Sequence, residues 1–330
     1  MRLLPSLLAC CLSFSALHAA AAEVKGLFDV REPVTADTTE ERAAALSRAL
    51  QTLTVRLTGD RRSANDARLR PLLADPQQLV QKFVYEPGTP VMLSVTFDQP
   101  STEKALHDKG LTLWPNPRPQ VLTWWLETSA SGAHLVAEDQ TEANILREAA
   151  RTRGLPLHLP LGDLQEQLLA THDTLNNADA TLLRKASEAY AADALLAVVA
   201  HVSANDWQAD WQLFVNNERV SGKAQAAGRQ ALAENIVVEV AEALAKRFAA
   251  SAGQTLTLEI QGSDLVRYAA LQQTLQPYQA TLRSIEGSTL TFHIKADPQQ
   301  LKTRLQTARL HEIPATTTQA DGVNRLIFSW

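Results

Sequence analysis

The chain has 330 residues, 45% hydrophobic and 20% charged, enough for two or three globular domains with cores of their own. Its formal charge of -5 leaves no basic surplus to draw it onto nucleic acid or an anionic membrane, so no nucleic-acid partner is expected. Both cysteines, Cys10 and Cys11, lie in the leading segment, so the rest of the chain has no disulfide and no thiolate metal site.

Residues 1–22 read as an export signal: Arg2, an apolar run Leu3 to Leu17 too short to span a bilayer, then small residues Ala19 to Ala22. Export without disulfides implies a periplasmic protein, with no membrane insertion after signal removal. The apolar core ahead of Cys10 is shorter than a lipoprotein signal needs, so a lipid anchor at Cys10 is not expected.

Residues 23–110 read as a small α+β module. Val24 to Val30 suggests a strand. Asp37 and Glu40 have the spacing of a capping box for a helix with a Leu46, Leu50, Leu53, Leu57 stripe and a Gly59 stop. Arg42, Arg48 and Arg56 lie off that stripe and are expected on a solvated face. A short helix is expected near Leu69 to Leu73, and Asp75-Pro76 opens another that turns Leu79, Val80 and Phe83 inward. Val91, Leu93, Val95 and Phe97 alternate as in a half-buried strand, and a helix from about Ser101 to Lys109 ends at Gly110.

Residues 111–119 form a connector stiffened by Pro115, Pro117 and Pro119, with Trp114 and Arg118 on it. Residues 120–252 read as a central α/β module with a mixed sheet. Val121 to Leu126 is apolar on both faces, as in a strand covered on both sides. Further strands are expected at His134–Ala137, Leu155–Leu159, Ala194–Val202, Trp207–Val215 and Arg219–Ala226. Helices are expected at Thr141–Arg153, Asp163–Leu169, Ala178–Tyr190 and Gln230–Ala250. Residues 253–330 give strands Thr255–Gln261, Thr281–Glu286, Thr289–Lys295 and Val323–Trp330 with helices Asp264–Gln276 and Pro298–Ala308 between them. That order is a ferredoxin-like βαββαβ module, and the fold class is α+β.

No constellation for catalysis emerges, so no enzyme, cofactor or metal is expected. Ser221-Gly222-Lys223 lacks the glycine spacing of a phosphate cradle. No two histidines stand three or four apart on a helix face, and no serine sits in a G-x-S-x-G elbow. Trp207 and Trp211 share one face of a strand and are read as core in preference to a glycan platform. The candidate ligand or interface residues are Trp114, Arg118 and Tyr85, as the lining of a groove between modules. If Arg118 is instead buried, it clamps one module to the next against a carboxylate.

Phe28…Pro33-Val34, Arg42 to Leu46, Val55 to Gly59, Gly110…Trp114, Arg118-Pro119…Trp124, Arg153 to Leu157, Pro160-Leu161…Asp163-Leu164 and Trp207…Trp211 together form a set. Over Val24 to Ala250, and more loosely beyond, it resembles the exported proteobacterial family labelled domain of unknown function 2066. Pro115 after the tryptophan and Pro117 before Arg118 depart from that pattern. The resemblance implies a periplasmic location and an envelope-associated role, and brings no active site. The function expected is that of a non-catalytic envelope interaction or assembly factor, with an envelope protein as partner. The alternative is a small-ligand or glycan-binding protein, and a cell-wall hydrolase comes third.

Overall fold

A computed structural model of the chain describes residues 26–114, 118–177, 180–202, 206–251, 255–275, 278, 280–296, 298–314 and 324–330. The expected signal segment, the connector prolines Pro115 and Pro117, the Gly253 stop and the Asp297 cap lie outside the described residues. The class is mixed α+β with three sheets. No helix among the described residues is long and apolar enough to cross a membrane.

The first sheet comprises β1 (Asp29–Val34), β2 (Val80–Glu86) and β3 (Val91–Phe97), antiparallel in the order β1-β3-β2. Helix α1 (Thr39–Thr58) lies on it through the expected leucine stripe, and Gly59 ends it in the left-handed region. Its cap is Thr38, which accepts from the Glu41 amide, one residue beyond the expected Asp37. Short helix α2 (Arg70–Ala74) follows, and α3 (Gln99–Asp108) is capped by Asp98. The helix expected from Asp75-Pro76 is a single 3-10 turn, Pro76–Leu79, that runs into β2. Val80, Phe83 and Val84 are poor helix formers, and antiparallel pairing with β3 outweighs a weak helical spacing.

The central sheet holds β4 (Val121–Ser129), β5 (Gly132–Val136), β6 (Leu157–His158), β7 (Ala194–Val202), β8 (Trp207–Val215) and β9 (Glu218–Ala226). Its order is β5-β4-β7-β8-β9, with β6 beside β4. β4 runs parallel to β6 and β7, and the other neighbours are antiparallel. Alternate residues of β4 point into two cores. Val121 and Trp125 meet α4 (Thr141–Thr152) and α8 (Arg229–Ser251), whereas Leu122, Trp124 and Leu126 meet the side of α6 (His172–Asn176) and α7 (Thr181–Ser187). That two-sided cover explains the run of six buried residues from Val121 to Leu126, apolar but for Thr123. Helix α5 (Leu164–Leu169) lies beside α7. The helix expected over Ala178–Tyr190 is α7 followed by a 3-10 turn, and α6 had no clear apolar period to announce it.

The last sheet has β10 (Thr255–Gln261), β11 (Thr281–Glu286), β12 (Thr289–Lys295), β13 (His311–Glu312) and β14 (Asn324–Ser329), in the order β11-β12-β10-β14-β13. Helices α9 (Leu265–Leu275) and α10 (Pro298–Thr307) contribute Leu271, Leu275, Leu301 and Leu305 to the core on one of its faces. A plain βαβ crossover from β12 would return antiparallel to β10. The two-residue β13 takes that direction at the outer edge, and β14 turns back to lie parallel to β10. The expected βαββαβ pattern is therefore extended by one strand too short to show a period.

Candidate functional site

The junction of the first and central sheets is built from the ends of two helices. An α-helix leaves its last four carbonyls without partners and carries partial negative charge there. The C-termini of α1 and α4 meet, and Arg118 lies between them. Its Nη2 donates to the Arg56 carbonyl at 2.6 Å, and its Nη1 donates to the carbonyls of Arg153 and Gly154, each at 2.9 Å. The guanidinium also stacks on Trp114, 4.3 Å from the ring centre.

Arg56 completes the joint from the other side. Its Nε donates to the Thr152 carbonyl at 3.1 Å, and its Nη1 donates to the carbonyls of Leu27 and Asp29 at 2.9 and 2.7 Å. Arg56 is thus buried, contrary to the solvated face expected for it, because the flank of α1 turned away from its own sheet docks on the central unit. Among the described residues, neither arginine has a carboxylate within ion-pair distance. Burial, then the Arg56 charge, pushes Arg118 down to about 9. Burial chiefly pushes Arg56 down to about 10, so both remain cations at neutral pH.

Trp114 and Arg118 are 2% and 0% exposed, so neither reaches a ligand from solvent while the sheets stay joined. Arg118 is a clamp, but it grips main-chain carbonyls where a carboxylate was expected. Tyr85 is on β2, half-buried, with its ring edge-on to Phe83 at 6.3 Å, and packs against the first core. No hydrogen bond or ring contact found among the described residues joins it to Trp114 or Arg118.

Two residues past Arg118, the backbone shares a carboxylate with α10 of the last unit. The Gln120 amide donates to Asp193 Oδ2 at 2.7 Å, and Arg304 of α10 meets the same oxygen at 3.3 Å, with both charged side chains 4% exposed. Short stretches of chain therefore tie three sheets together.

The tryptophans of the central sheet are structural. Trp211 is buried and lies against Gly222 of β9, where a Cβ would come within 2.5 Å of its ring. Trp125 donates to Glu127, which Arg229 holds through two bonds of 2.7 and 2.8 Å, and the Arg229 guanidinium covers Trp207 at 5.0 Å.

A cavity of about 410 Å³ lies at the ends of β4 and β7, lined by Thr128, Ser129, His201 and Asp206 among others. His201 Nδ1 is 2.8 Å from the Thr128 hydroxyl, which also reaches the Ala200 carbonyl at 3.0 Å. Ser129 bonds to Ser131, and Asp206 to Gln208 and Gln225. Hydroxyl and imidazole are thus in contact, and the Asp206 carboxylate lines the same cavity.

Ten large apolar side chains are exposed among the described residues, and four of them lie between positions 161 and 182. Leu161, Leu164, Leu168 and Leu182 are 70%, 71%, 72% and 57% exposed. The segment that carries the first three is firmly held. Asp163 and Glu166 form a capping box, Glu166 also accepts from the Gly162 amide at 2.6 Å and from the Tyr190 hydroxyl, and that hydroxyl accepts from the Leu161 amide at 2.9 Å. Leu164 and Leu168 stand one helical turn apart on α5, and Leu182 is on neighbouring α7. Asp163 was legible as the start of the helix, but its Glu166 partner and the side of α5 that meets the core were not.

Residues 21–115 match a family model described as Domain of unknown function (DUF8605). The match spans the first module and Trp114 of the junction, and marks that part as similar to an uncharacterised family. No curated protein and no solved structure matches the chain.

Proposed function

We propose that this chain is an exported, non-catalytic interaction or assembly factor of the cell envelope, as its resemblance to the exported family labelled domain of unknown function 2066 implies. The observation that carries the reading is the leucine face of α5 and α7. Apolar side chains exposed on a mobile tip mean little, but these project from a loop and helix fixed by four hydrogen bonds to Glu166 and Tyr190. Four mostly exposed leucines give apolar area on the order of the few hundred Å² that marks an interaction face. Such an area is small beside the roughly 800 Å² per partner of a stable complex, so it fits one apolar element of a protein partner.

Export is tested by fusing residues 1–30 to alkaline phosphatase, which is active only outside the cytoplasm; an inactive fusion sinks the envelope assignment. The interaction is tested with a photocrosslinking residue at position 164 in cells, against one at Arg62 as control. A discrete adduct at 164 that disappears with Leu168→Ser supports the face as the contact. No adduct at 164, or one equally strong at 62, removes it.

A further inference from the structure

β9 is the outermost strand of the central sheet, nine residues long and largely exposed. The two-residue turn between Val215 and Glu218 sets its pairing with β8, so that alternate residues bond inward. By that alternation Glu218, Val220, Gly222 and Ala224 bond to β8, and Lys223 and Gln225 turn their N–H and C=O groups outward. One contact confirms the direction: the Gln225 carbonyl accepts from Asn235 Nδ2 of α8 at 3.3 Å.

Those outward groups border a cavity of about 340 Å³ between the edge of β9, helix α8 and the first module, within the ~300–1,000 Å³ range of ligand clefts. Its far wall holds Arg61 and Arg153, and its α8 wall holds Glu239. Arg61 pairs with Glu242 at 3.1 Å. Arg153 is half-buried, and among the described residues no carboxylate lies within ion-pair distance of its guanidinium. The cavity therefore offers the outward N–H groups of Lys223 and Gln225 and the Lys223 carbonyl, with the Gln225 carbonyl already held by Asn235, together with a guanidinium without an ion-pair partner and a carboxylate.

We propose that this cleft binds an extended peptide of a partner protein, which adds to β9 at Lys223 and Gln225 and places a carboxylate on Arg153. Main-chain pairing supplies affinity in such strand addition, and the charged groups supply register. The lining holds charges of both signs, Arg61, Arg153 and Lys223 with Glu239. That mixture suits a peptide, whose carboxylate can be accompanied by a cation. The site lies apart from the leucine face and does not rest on it.

The test pans a library of random hexapeptides displayed with free C-termini against the full chain. Selected peptides are remade with free and amidated C-termini, and binding is measured by calorimetry. We expect Arg153→Gln to weaken binding at least tenfold, and Lys223→Pro, which removes an outward N–H from an edge strand without breaking a β8 bond, to do the same with thermal stability kept. Bound peptide should slow amide exchange at Lys223 and Gln225. Amidation tells whether the carboxylate is terminal or on a side chain. The proposal is overturned if no peptide is selected, or if selected peptides bind both variants as tightly as the parent. Leu164→Ser with Leu168→Ser should leave peptide binding unchanged, which separates failure here from failure of the leucine face.

Discussion

The Arg118 guanidinium donates to the carbonyl of Arg56 at 2.6 Å, and the Arg56 guanidinium crosses in return to the Thr152 carbonyl at 3.1 Å. Two cations thus share a buried interface and are balanced by the negative ends of two helices. Removing Arg118 leaves three carbonyls buried without donors, each worth about 1–3 kcal/mol. Arg118→Met should lower unfolding free energy by about 3–5 kcal/mol by urea titration, and Arg118→Lys should not restore it, because an ammonium lacks the planar fork.

Gly154 has φ +62°, and a Cβ there would lie 2.6 Å from Arg118 Nη1 and 2.6 Å from Leu27 Cδ1. Gly154→Ala should cost about 3 kcal/mol, from left-handed strain plus overpacking. At Gly287 the φ is +60° but nothing stands within 4 Å, so Gly287→Ala carries the strain alone. A smaller loss there in the same titration isolates the contact contribution.

The ion pair of Asp193 and Arg304 joins central and last sheets in a buried setting. Removing one partner of such a pair costs about 3–5 kcal/mol. Arg304→Met should therefore destabilise strongly, and a double-mutant cycle with Asp193→Asn should return a coupling above about 1 kcal/mol. A coupling near zero would mean that Asp193 acts through partners other than Arg304, the Gln120 amide among them.

Tyr190 provides a pH signature for the leucine segment. Burial, with the hydrogen bond to Glu166, pushes its phenol up to about 12. The neutral form is favoured in the folded state, so the folded chain holds more protons than the unfolded one between pH 10 and about 12. Its contribution is full below pH 10 and is lost as pH rises through 12. Thermal stability should fall across that window in the parent and fall less in Tyr190→Phe, with absorbance at 295 nm following the phenolate.

Leu164→Ser with Leu168→Ser should change unfolding free energy by no more than about 0.5 kcal/mol, since both side chains are exposed. A larger loss would mean that α5 packs through these leucines and that the face is not free.

Long periodic segments were legible in the sequence because one strong preference decided them. The leucine stripe of α1, the two-faced β4 and the run of β7 all hold where expected. What failed was decided by distant partners. β2 became a strand because β3 pairs with it, and β13 exists because β14 supplies its two bonds. Arg56 looked solvated from the period of its own helix, but the carbonyls of Leu27 and Asp29 and, almost a hundred residues on, that of Thr152 in α4 hold it. The same holds at the junction. Trp114 and Arg118 were conspicuous, but helix C-termini as the counter-charge leave no mark in residue types. The leucines of α5 were visible only as ordinary apolar positions, since exposure is a property of the finished fold.

The span from Arg118 to Gln120 also sets an order on the birth of the molecule. Arg118 finds two of its three carbonyls 35 and 36 residues further on, and the Asp193 carboxylate held by Gln120 meets Arg304 after another 111. A chain emerging from its N-terminus therefore has its first sheet early but cannot lock it to the second until α4 is made, nor the second to the third until α10 follows. A truncation anywhere before Arg304 would keep plausible secondary structure and lack the final fastening, so such fragments should be short-lived targets for proteases.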